Sequence, residues 1–505
     1  MSTSVEGRWL VPESWLWCYA KDIAKVIGGG TPSTKDETNF SSKGIPWLTP
    51  ADLSDYNGIY IKAGRRDISE KGFHESSARL LPKGTVLFTS RAPIGYCVIA
   101  ENPITTNQGF KSLVLESSID PEYIRHYLLN SKEYAESLAS GSTFKELSGR
   151  KTEKLKFPLP PLNEQRRIVA KIEELTAHSK RARAALDEVP TLIKQFKQSV
   201  LAAAFRGDLT ADWREKNPDV EPAEKLLERI RAERRKCWEQ NLISKGKNPK
   251  KSKYKQPEQI TDQERYELPL SWHWMTLSDV AWYVKDGPHY SPRYSDSGIP
   301  FITGGNVRPN GVDFDNVKYI SPELHEELSG RCLPEYGDIL YTKGGTTGIA
   351  RVNTYHRKFN VWVHVAILKC VPSIERFYLQ HALNSPWCYQ QSQRFTHGVG
   401  NQDLGLTRMI KILIPLAPQA EQVEIIRRVE IYMKSIYRLQ KDFEDCIQNI
   451  DLLDQSILAK AFQGELVSQD PNDEPAAVLL ERIRAEREKL EAAKKKKRSA
   501  RKKAK

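Results

Sequence analysis

Phe157–Ile168 reads FPLPPLNEQRRI, and Ile414–Ile425 reads IPLAPQAEQVEI. Each stretch keeps two aligned prolines, a Glu-Gln pair and a closing isoleucine. Each also ends a run of short β-like segments and opens a long helical pattern. Other landmarks recur in the same order. Val200–Leu209 (VLAAAFRGDL) returns as Ile457–Leu466 (ILAKAFQGEL), and Leu226–Arg234 (LLERIRAER) returns unchanged as Leu479–Arg487. Pro12–Trp17 (PESWLW) is echoed by Pro269–Trp274 (PLSWHW). A period of roughly 255 residues is too long for a solenoid unit, so the chain holds two copies of one domain-plus-helix module. Such a duplication suits a target that itself has two halves.

The 505 residues allow about three folding units, and the apolar content suits ordinary globular cores. No apolar run approaches a membrane span, and the amino-terminal MSTSVEGRW lacks a signal-peptide core. The seven cysteines are scattered, with no C-x-x-C spacing, so neither a disulfide framework nor a zinc site is expected. A reducing cytoplasm is the expected home. The net charge of +13 is concentrated in 494–505 (KKKKRSARKKAK) and 245–255 (KGKNPKKSKYK). The pI therefore hints at nucleic acid without locating a site. A Lys-rich tail reads first as a solvated, irregular extension, and second as a non-specific phosphate contact.

Residues 1–158 alternate β-like runs (44–49, 85–89, 111–115) with turn signals and one helix near Pro121–Ser131. Residues 269–415 repeat the plan with runs at 298–303, 338–342 and 363–368 and a helix near Arg376–Asn384. After each copy a Pro-rich stop precedes a helix with apolar positions in alternating steps of four and three. The first series is Ile168, Ile172, Leu175, Ser179 (its one polar member), Ala182, Leu186, Val189, Ile193, Phe196 and Val200. The second is Ile425, Val429, Tyr432, Ile436, Leu439, Phe443, Cys446, Ile450, Leu453 and Ile457. A 3.5-residue repeat of this length predicts a coiled-coil seam of about 50 Å. Pro190 should kink or split the first helix. Two seams in one chain can bury each other, antiparallel about a pseudo-two-fold axis, although each could instead pack on its own domain or on a partner. Residues 208–262 link the copies, with a helix expected over Ala223–Trp238 and a flexible stretch after it.

The sequence carries no phosphate-loop motif, no G-x-G-x-x-G after a strand, no H-E-x-x-H and no G-x-S-x-G. It also lacks the Asn/Asp-Pro-Pro-aromatic tetrapeptide that amino-group DNA methyltransferases use to hold a target base. No catalytic or metal-ligating residues are assigned, and the isolated His289, His325, His364 and His397 each read first as surface or core histidines. What remains is polar loops suited to base edges. In the first copy these offer Thr89, Ser90 and Arg91, then Asn107 and Gln108, then Ser142, Thr143 and Lys145, with Thr31, Ser33, Lys35, Arg65 and Arg66 as further candidates. In the second copy they offer His289, Tyr290 and Arg293, Asn306 and Arg308, Thr342, Lys343, Thr346 and Thr347, and Asn401 with Gln402. Arginine pairs bidentately with guanine and amides suit adenine, whereas any single member could equally be a solvated loop group.

The chain resembles the specificity subunit of type I restriction-modification systems. Leu159–Ile168 leading into the heptad helix, its echo Leu416–Gln422, and Gly30–Ser33, Gly44–Leu48 and Gly298–Ile302 carry the resemblance. It implies a mixed α+β fold: two globular α/β target-recognition domains joined by two long antiparallel coiled-coil helices. The expected layout is recognition domains at 1–158 and 263–415, helical regions at 159–207 and 416–466, a helical and basic linker at 208–262, and a helical extension with basic tail at 467–505. The resemblance further implies that each domain reads one half of a bipartite asymmetric site on double-stranded DNA, with the helices setting the spacer. Two methyltransferase subunits and motor-nuclease subunits would be its partners, and they, not this chain, would use S-adenosylmethionine, ATP and Mg2+. The alternatives are a self-sufficient DNA methyltransferase with a diverged motif, a coiled-coil scaffold that reads no sequence, and a DNA-binding scaffold of another defence complex.

Overall fold

The computed structural model describes residues 3–4, 8–141, 145–258, 265–398 and 402–503, with side chains between Trp9 and Ala493. The chain forms two compact units, one from Met1–Asp187 with Glu444–Lys505 and one from Glu188–Phe443.

In each unit the repeated motifs close a globular domain. Strand Leu16–Tyr19 pairs antiparallel with Lys156–Leu159, and His273–Thr276 pairs likewise with Leu413–Leu416. The prolines that follow have no N–H to extend these ladders, so the strands stop and the helices begin. The Glu-Gln pair fastens the junction. Gln165 accepts the Asp120 N–H and donates to the Pro160 carbonyl, both at 2.9 Å. Gln422 accepts the Glu375 N–H at 3.3 Å and donates to the Ala417 carbonyl at 2.9 Å. Both amides are fully buried. The buried Glu421 carboxylate accepts from Trp272 Nε1 (2.8 Å), Thr210 (2.6 Å) and Arg214 (2.5 Å). Glu164, its counterpart, accepts from Gln469 at 2.5 Å, and burial raises its pKa. The motif is conserved between the copies because buried polar groups require partners.

The sheets follow one plan. The first domain has a five-stranded sheet in the order 24–28, 111–115, 86–90, 94–100, 60–61, beside a four-stranded sheet in the order 105–106, 45–48, 66–68, 40–41. The second has the order 281–286, 365–370, 339–342, 350–352, beside a three-stranded sheet in the order 318–320, 299–302, 360–361. Helices Pro121–Asn130 and Arg376–Leu383 occupy the expected places. Tyr123 and Tyr378 at their starts donate to the Pro158 and Pro415 carbonyls at 2.6 and 2.7 Å.

Pro190 splits the first long helix into Leu162–Leu186 and Val189–Arg206, with the proline in the first turn of the second segment. The second long helix, Gln419–Gln463, is continuous. Within each unit the helices pair antiparallel. In the first, Arg183 contacts Asp451 (2.5 Å) and Asp454 (3.2 Å), while Arg167 contacts Asp473 (2.7 Å). In the second, the Phe196 and Tyr432 rings lie 6.2 Å apart, and Arg428 reaches the Leu209 carbonyl at 2.8 Å.

The seam departs from the expected heptads. Ile168, Ile172, Ser179, Ile193, Val200, Ile425, Val429, Ile436 and Ile457 are buried, and Leu175, Leu186, Val189, Phe443 and Ile450 are half-buried. Met433 replaces the exposed Tyr432, Ile447 replaces the exposed Cys446, and Arg183 takes the place expected of Ala182. Phe196, Leu439 and Leu453 are exposed, with Asp454 turned toward Arg183 instead of Leu453. A straight helix drifts by about 20° per heptad, so a strict 3.5 repeat slips by a residue unless supercoiling corrects it. Here the helix ends are held by globular cores rather than by a continuous zipper.

The LLERIRAER segments are core elements rather than linkers. Leu226, Leu227 and Ile230 pack in the second unit's core, and Leu479, Leu480 and Ile483 in the first's. Helix Ala223–Ser244 starts with the Ala223 N–H on the Ser271 carbonyl (2.9 Å), and helix Ala476–Lys503 with the Ala476 N–H on the Ser14 carbonyl (3.0 Å). Each unit thus takes this helix from the sequence copy that lies before it in circular order. The turns preceding them need glycine: Gly207 (φ +88°) and Gly464 (φ +80°) would each place a Cβ 2.5 Å or less from Pro269 or Pro12. The stretch expected to be flexible after Trp238 also folds back. Tyr254 packs on Trp238 at 5.1 Å, and Arg234 donates to the Lys255 carbonyl at 3.0 Å. The basic tail, expected to be irregular, continues its helix to Lys503.

Candidate nucleic-acid interface

The candidate loops converge where strands Val86–Ser90 and Ile339–Thr342 end, and the two sites share one frame. Thr89 accepts the Tyr96 N–H and Thr342 accepts the Ile349 N–H, both at 2.9 Å. At the next residue, the Ser90 N–H donates to the Gly109 carbonyl (2.7 Å) and its carbonyl accepts from Leu147 (2.9 Å). Lys343 repeats this with the His364 carbonyl (2.9 Å) and the Leu404 N–H (2.8 Å). Three loops per domain are therefore tied to one strand end.

This frame corrects several assignments. Thr89, Ser90, Thr342, Lys343, Thr347 and Asn306 are buried and satisfied inside the protein. Ser90 Oγ donates to the Gly109 carbonyl at 3.1 Å, Thr347 accepts from Gln393 at 3.0 Å, and Asn306 Oδ1 accepts from Thr303 Oγ1 at 2.7 Å. Short polar side chains at strand ends bond the turning backbone, so they hold the loops rather than face a ligand. Ser142, Thr143 and Asn401 lie outside the described residues.

In the first domain Thr31 donates to the Gln108 side-chain Oε1, and the half-buried Asn107 caps the Gly109 N–H at 2.8 Å. Arg91 lies 3.5 Å from Glu146, whose other oxygen lies 3.5 Å from Lys111. Lys111 also reaches Ser90 Oγ and the Gln108 carbonyl at 3.4 Å each. Thr31, Gln108, Arg91, Lys111 and Glu146 thus form one polar cluster, with the exposed Lys145 next in sequence. Ser33, Lys35, Arg65 and Arg66 are exposed outside these contacts. Arg65 lies 3.7 Å from Asp52, and Arg66 covers the Phe40 ring at 3.5 Å.

In the second domain the buried Lys343 ammonium lies between Asp286 (3.3 Å) and Asp403 (3.2 Å). Asp286 also holds Arg331 (3.0 Å) and His289 (3.2 Å). Trp362 stacks on His364 at 4.7 Å and donates its indole N–H to the Tyr290 carbonyl at 3.2 Å. Burial, and then the charge of Lys343, pushes the His364 pKa down. His289, Tyr290, Arg293, Arg308, Thr346 and Gln402 are exposed, with Arg308 paired to Asp313 at 2.8 Å.

Glu146 and Asp403 are a pair that sequence reasoning missed. Each is one side of a backbone bridge, Ser140↔Glu146 or His397↔Asp403, and each holds a cation at its strand end. Their spacing behind the matched strands was visible, but a lone acid in a loop carries no signal until its cation is in place. Lys111, Asp286 and the Trp362–His364 stack were missed for the same reason. What the clusters offer is donors and acceptors at base-edge size. Among the described residues, no group of three His, Cys, Asp or Glu could hold a metal ion, and no helix is long and apolar enough to cross a membrane.

Residues 12–188 and 269–447 match the family described as type I restriction modification DNA specificity domain. The MjaIX specificity subunit of Methanocaldococcus jannaschii is 30% identical over 74% of this chain and 76% of its own length. The EcoBI specificity subunit of Escherichia coli is 26% identical over 96% of this chain and 94% of its own. In fold, the HsdS subunit of Thermoanaerobacter tengcongensis matches with a TM-score of 0.53 at 19% identity, over 91% of this chain and 99% of that one. A chain from a structural study of assembly and conformational transition of the type I R-M system matches with a TM-score of 0.63 at 18% identity, over 91% and 100%.

Proposed function

From the premise that this chain belongs to the type I restriction-modification DNA specificity family, we propose that it is the sequence-reading subunit of such a complex. The observation that carries this reading is the pair of loop clusters: one backbone frame, used twice, with different side chains. The first presents Arg91, Lys111 and Gln108 around Glu146; the second presents Gln402, Thr346 and the Tyr290 loop around a neutralised Lys343. Two copies of one reader with different donors suit two half-sites of different sequence, hence a bipartite asymmetric target. The antiparallel helix pairs would fix the unread spacer, and basic side chains would set register on phosphates.

The chain contributes recognition, and the chemistry belongs to partners. Methyltransferase subunits, two by family resemblance, would use S-adenosylmethionine to methylate adenine. Motor-nuclease subunits would use ATP and Mg2+ to cleave. Exchange of residues 1–158 for those of another family member tests the reading: one half-site should change and the other persist. A change in both halves, or in neither, would refute it. Labelled methyl transfer to DNA by the purified chain alone would instead favour an enzyme.

A further inference from the structure

Beside the loop closed by Thr342 and Ile349, the second unit contains a cavity of about 350 Å3. It opens between helix Val189–Arg206, helix Arg376–Leu383, strand Ala350–Val352 and the first half of helix Gln419–Gln463. That volume lies in the range of small-molecule sites. Lys197 and Arg351 line it without an ion-pair partner among the described residues. Among the described residues, the Arg351 side chain donates to the Pro309 and Asn310 carbonyls alone, at 3.2 and 3.3 Å. Burial draws the Lys197 pKa down, and the charge of Arg351 adds to the effect. Burial, then Arg351 and Lys197, holds His381 down to about 4, so its imidazole is neutral near pH 7. Lys434 and one carboxylate, Glu430, complete the charged lining, which leaves the cavity cationic. Tyr389 and Tyr437 stand at the lining 44% and 42% exposed.

The first copy supplies an internal comparison. By the frame of the repeat, Asp454 stands for Lys197, Val98 for Arg351 and His126 for His381. His126 is likewise held down to about 4 by burial, so the histidine belongs to the shared scaffold. The positions of the cations differ: Asp454 is tied to Arg183 and Val98 is buried in the sheet, while Arg125 and Lys180 are the charges that act on His126. The fold therefore does not require a lysine at position 197 or an arginine at position 351, and these two cations are particular to the second copy.

We propose that this cavity binds a small anion that joins a phosphate to a flat ring, the chemistry of a nucleoside monophosphate. Arg351 and Lys197 would take the phosphate oxygens through charge-assisted hydrogen bonds, and the tyrosine rings would face the base. The site borders the loop that ends at Ile349 but uses none of the side chains proposed above to read bases.

Calorimetric titration of the full chain with AMP, adenosine and inorganic phosphate tests it. AMP should bind once per chain, at least tenfold tighter than adenosine or phosphate. Lys197→Met and Arg351→Gln should each weaken AMP at least tenfold, with melting temperature and DNA affinity kept as checks on folding. No binding of AMP at millimolar concentration would overturn the proposal, as would AMP binding that both substitutions leave unchanged. If AMP fails and Arg351→Gln instead weakens capture of the methyltransferase subunit, the cavity takes a protein acid and the nucleotide assignment is wrong.

Discussion

Lys343 was a natural candidate to touch DNA, and Lys343→Met separates that role from the one its burial implies. Its side chain is 3% exposed and sits between Asp286 and Asp403 at 3.3 and 3.2 Å. Removing one partner of a buried ion pair costs about 3–5 kcal/mol when the other is stranded. Here Asp286 keeps Arg331 at 3.0 Å and Asp403 is half-exposed, so water and arginine recover part of the loss. We expect about 2–3 kcal/mol of destabilisation in the second unit. At about 2–4 °C per kcal/mol for a unit of this size, its melting transition should fall by roughly 5–10 °C. Arg91→Ala is the contrasting variant. Its ion pair is 3.5 Å long and both side chains are more than a third exposed, so stability should change by less than about 1 kcal/mol. Its loss should appear instead as about 5- to 150-fold weaker discrimination at one half-site, the equivalent of about 1–3 kcal/mol. Thermal melts by circular dichroism, with fluorescence anisotropy on cognate and altered duplexes, read both. If Lys343→Met melts within a degree of the parent yet loses half-site discrimination, the lysine reads DNA and the burial reasoning is wrong.

Glu146→Gln should release Arg91 and Lys111, steepening the dependence of log affinity on log salt by about one and raising affinity for any duplex at low salt; an unchanged slope in an anisotropy salt series would count against the restraint. Gln165→Leu or Gln422→Leu removes two buried hydrogen bonds at a helix start and should cost about 2–3 kcal/mol by urea unfolding, with similar losses in both copies. Burial holds His126 down to about 4 from an ordinary 6.5, and its Nε2 has no hydrogen-bond partner among the described residues. The unfolded chain therefore takes up that proton first, and the associated stability, of order 3 kcal/mol, is present above pH 6.5 and lost as pH falls toward 4. His126→Phe should flatten this part of the stability profile, and an unaltered slope between pH 6.5 and 4 would contradict the assignment.

The repeat was legible because its landmarks are structural. The Glu-Gln pair, the Trp-bearing opening and the glycine that ends AFRG or AFQG are all fixed by buried contacts that occur twice. Strand and helix positions in both globular domains were legible for the same reason. The heptads gave the helices, and the two-fold relation of the repeats their antiparallel sense, but the heptads misplaced Phe196, Tyr432, Leu439, Cys446 and Leu453, since periodicity cannot tell a zipper from a helix held at its ends. The LLERIRAER helices read as linkers because their partners lie in the other copy's opening segment, far away in sequence. At the candidate interface, sequence found the loops and confused supports with readers. Thr89 and Thr342 are polar, loop-adjacent and buried, and only the seven-residue reach to Tyr96 and Ile349 reveals their task.

The most direct test of the two-reader account is to map modified adenines on DNA methylated by this chain together with its methyltransferase subunits. The account predicts one interrupted motif with two dissimilar halves at constant spacing. A single uninterrupted motif, or halves whose spacing varies from site to site, would contradict it.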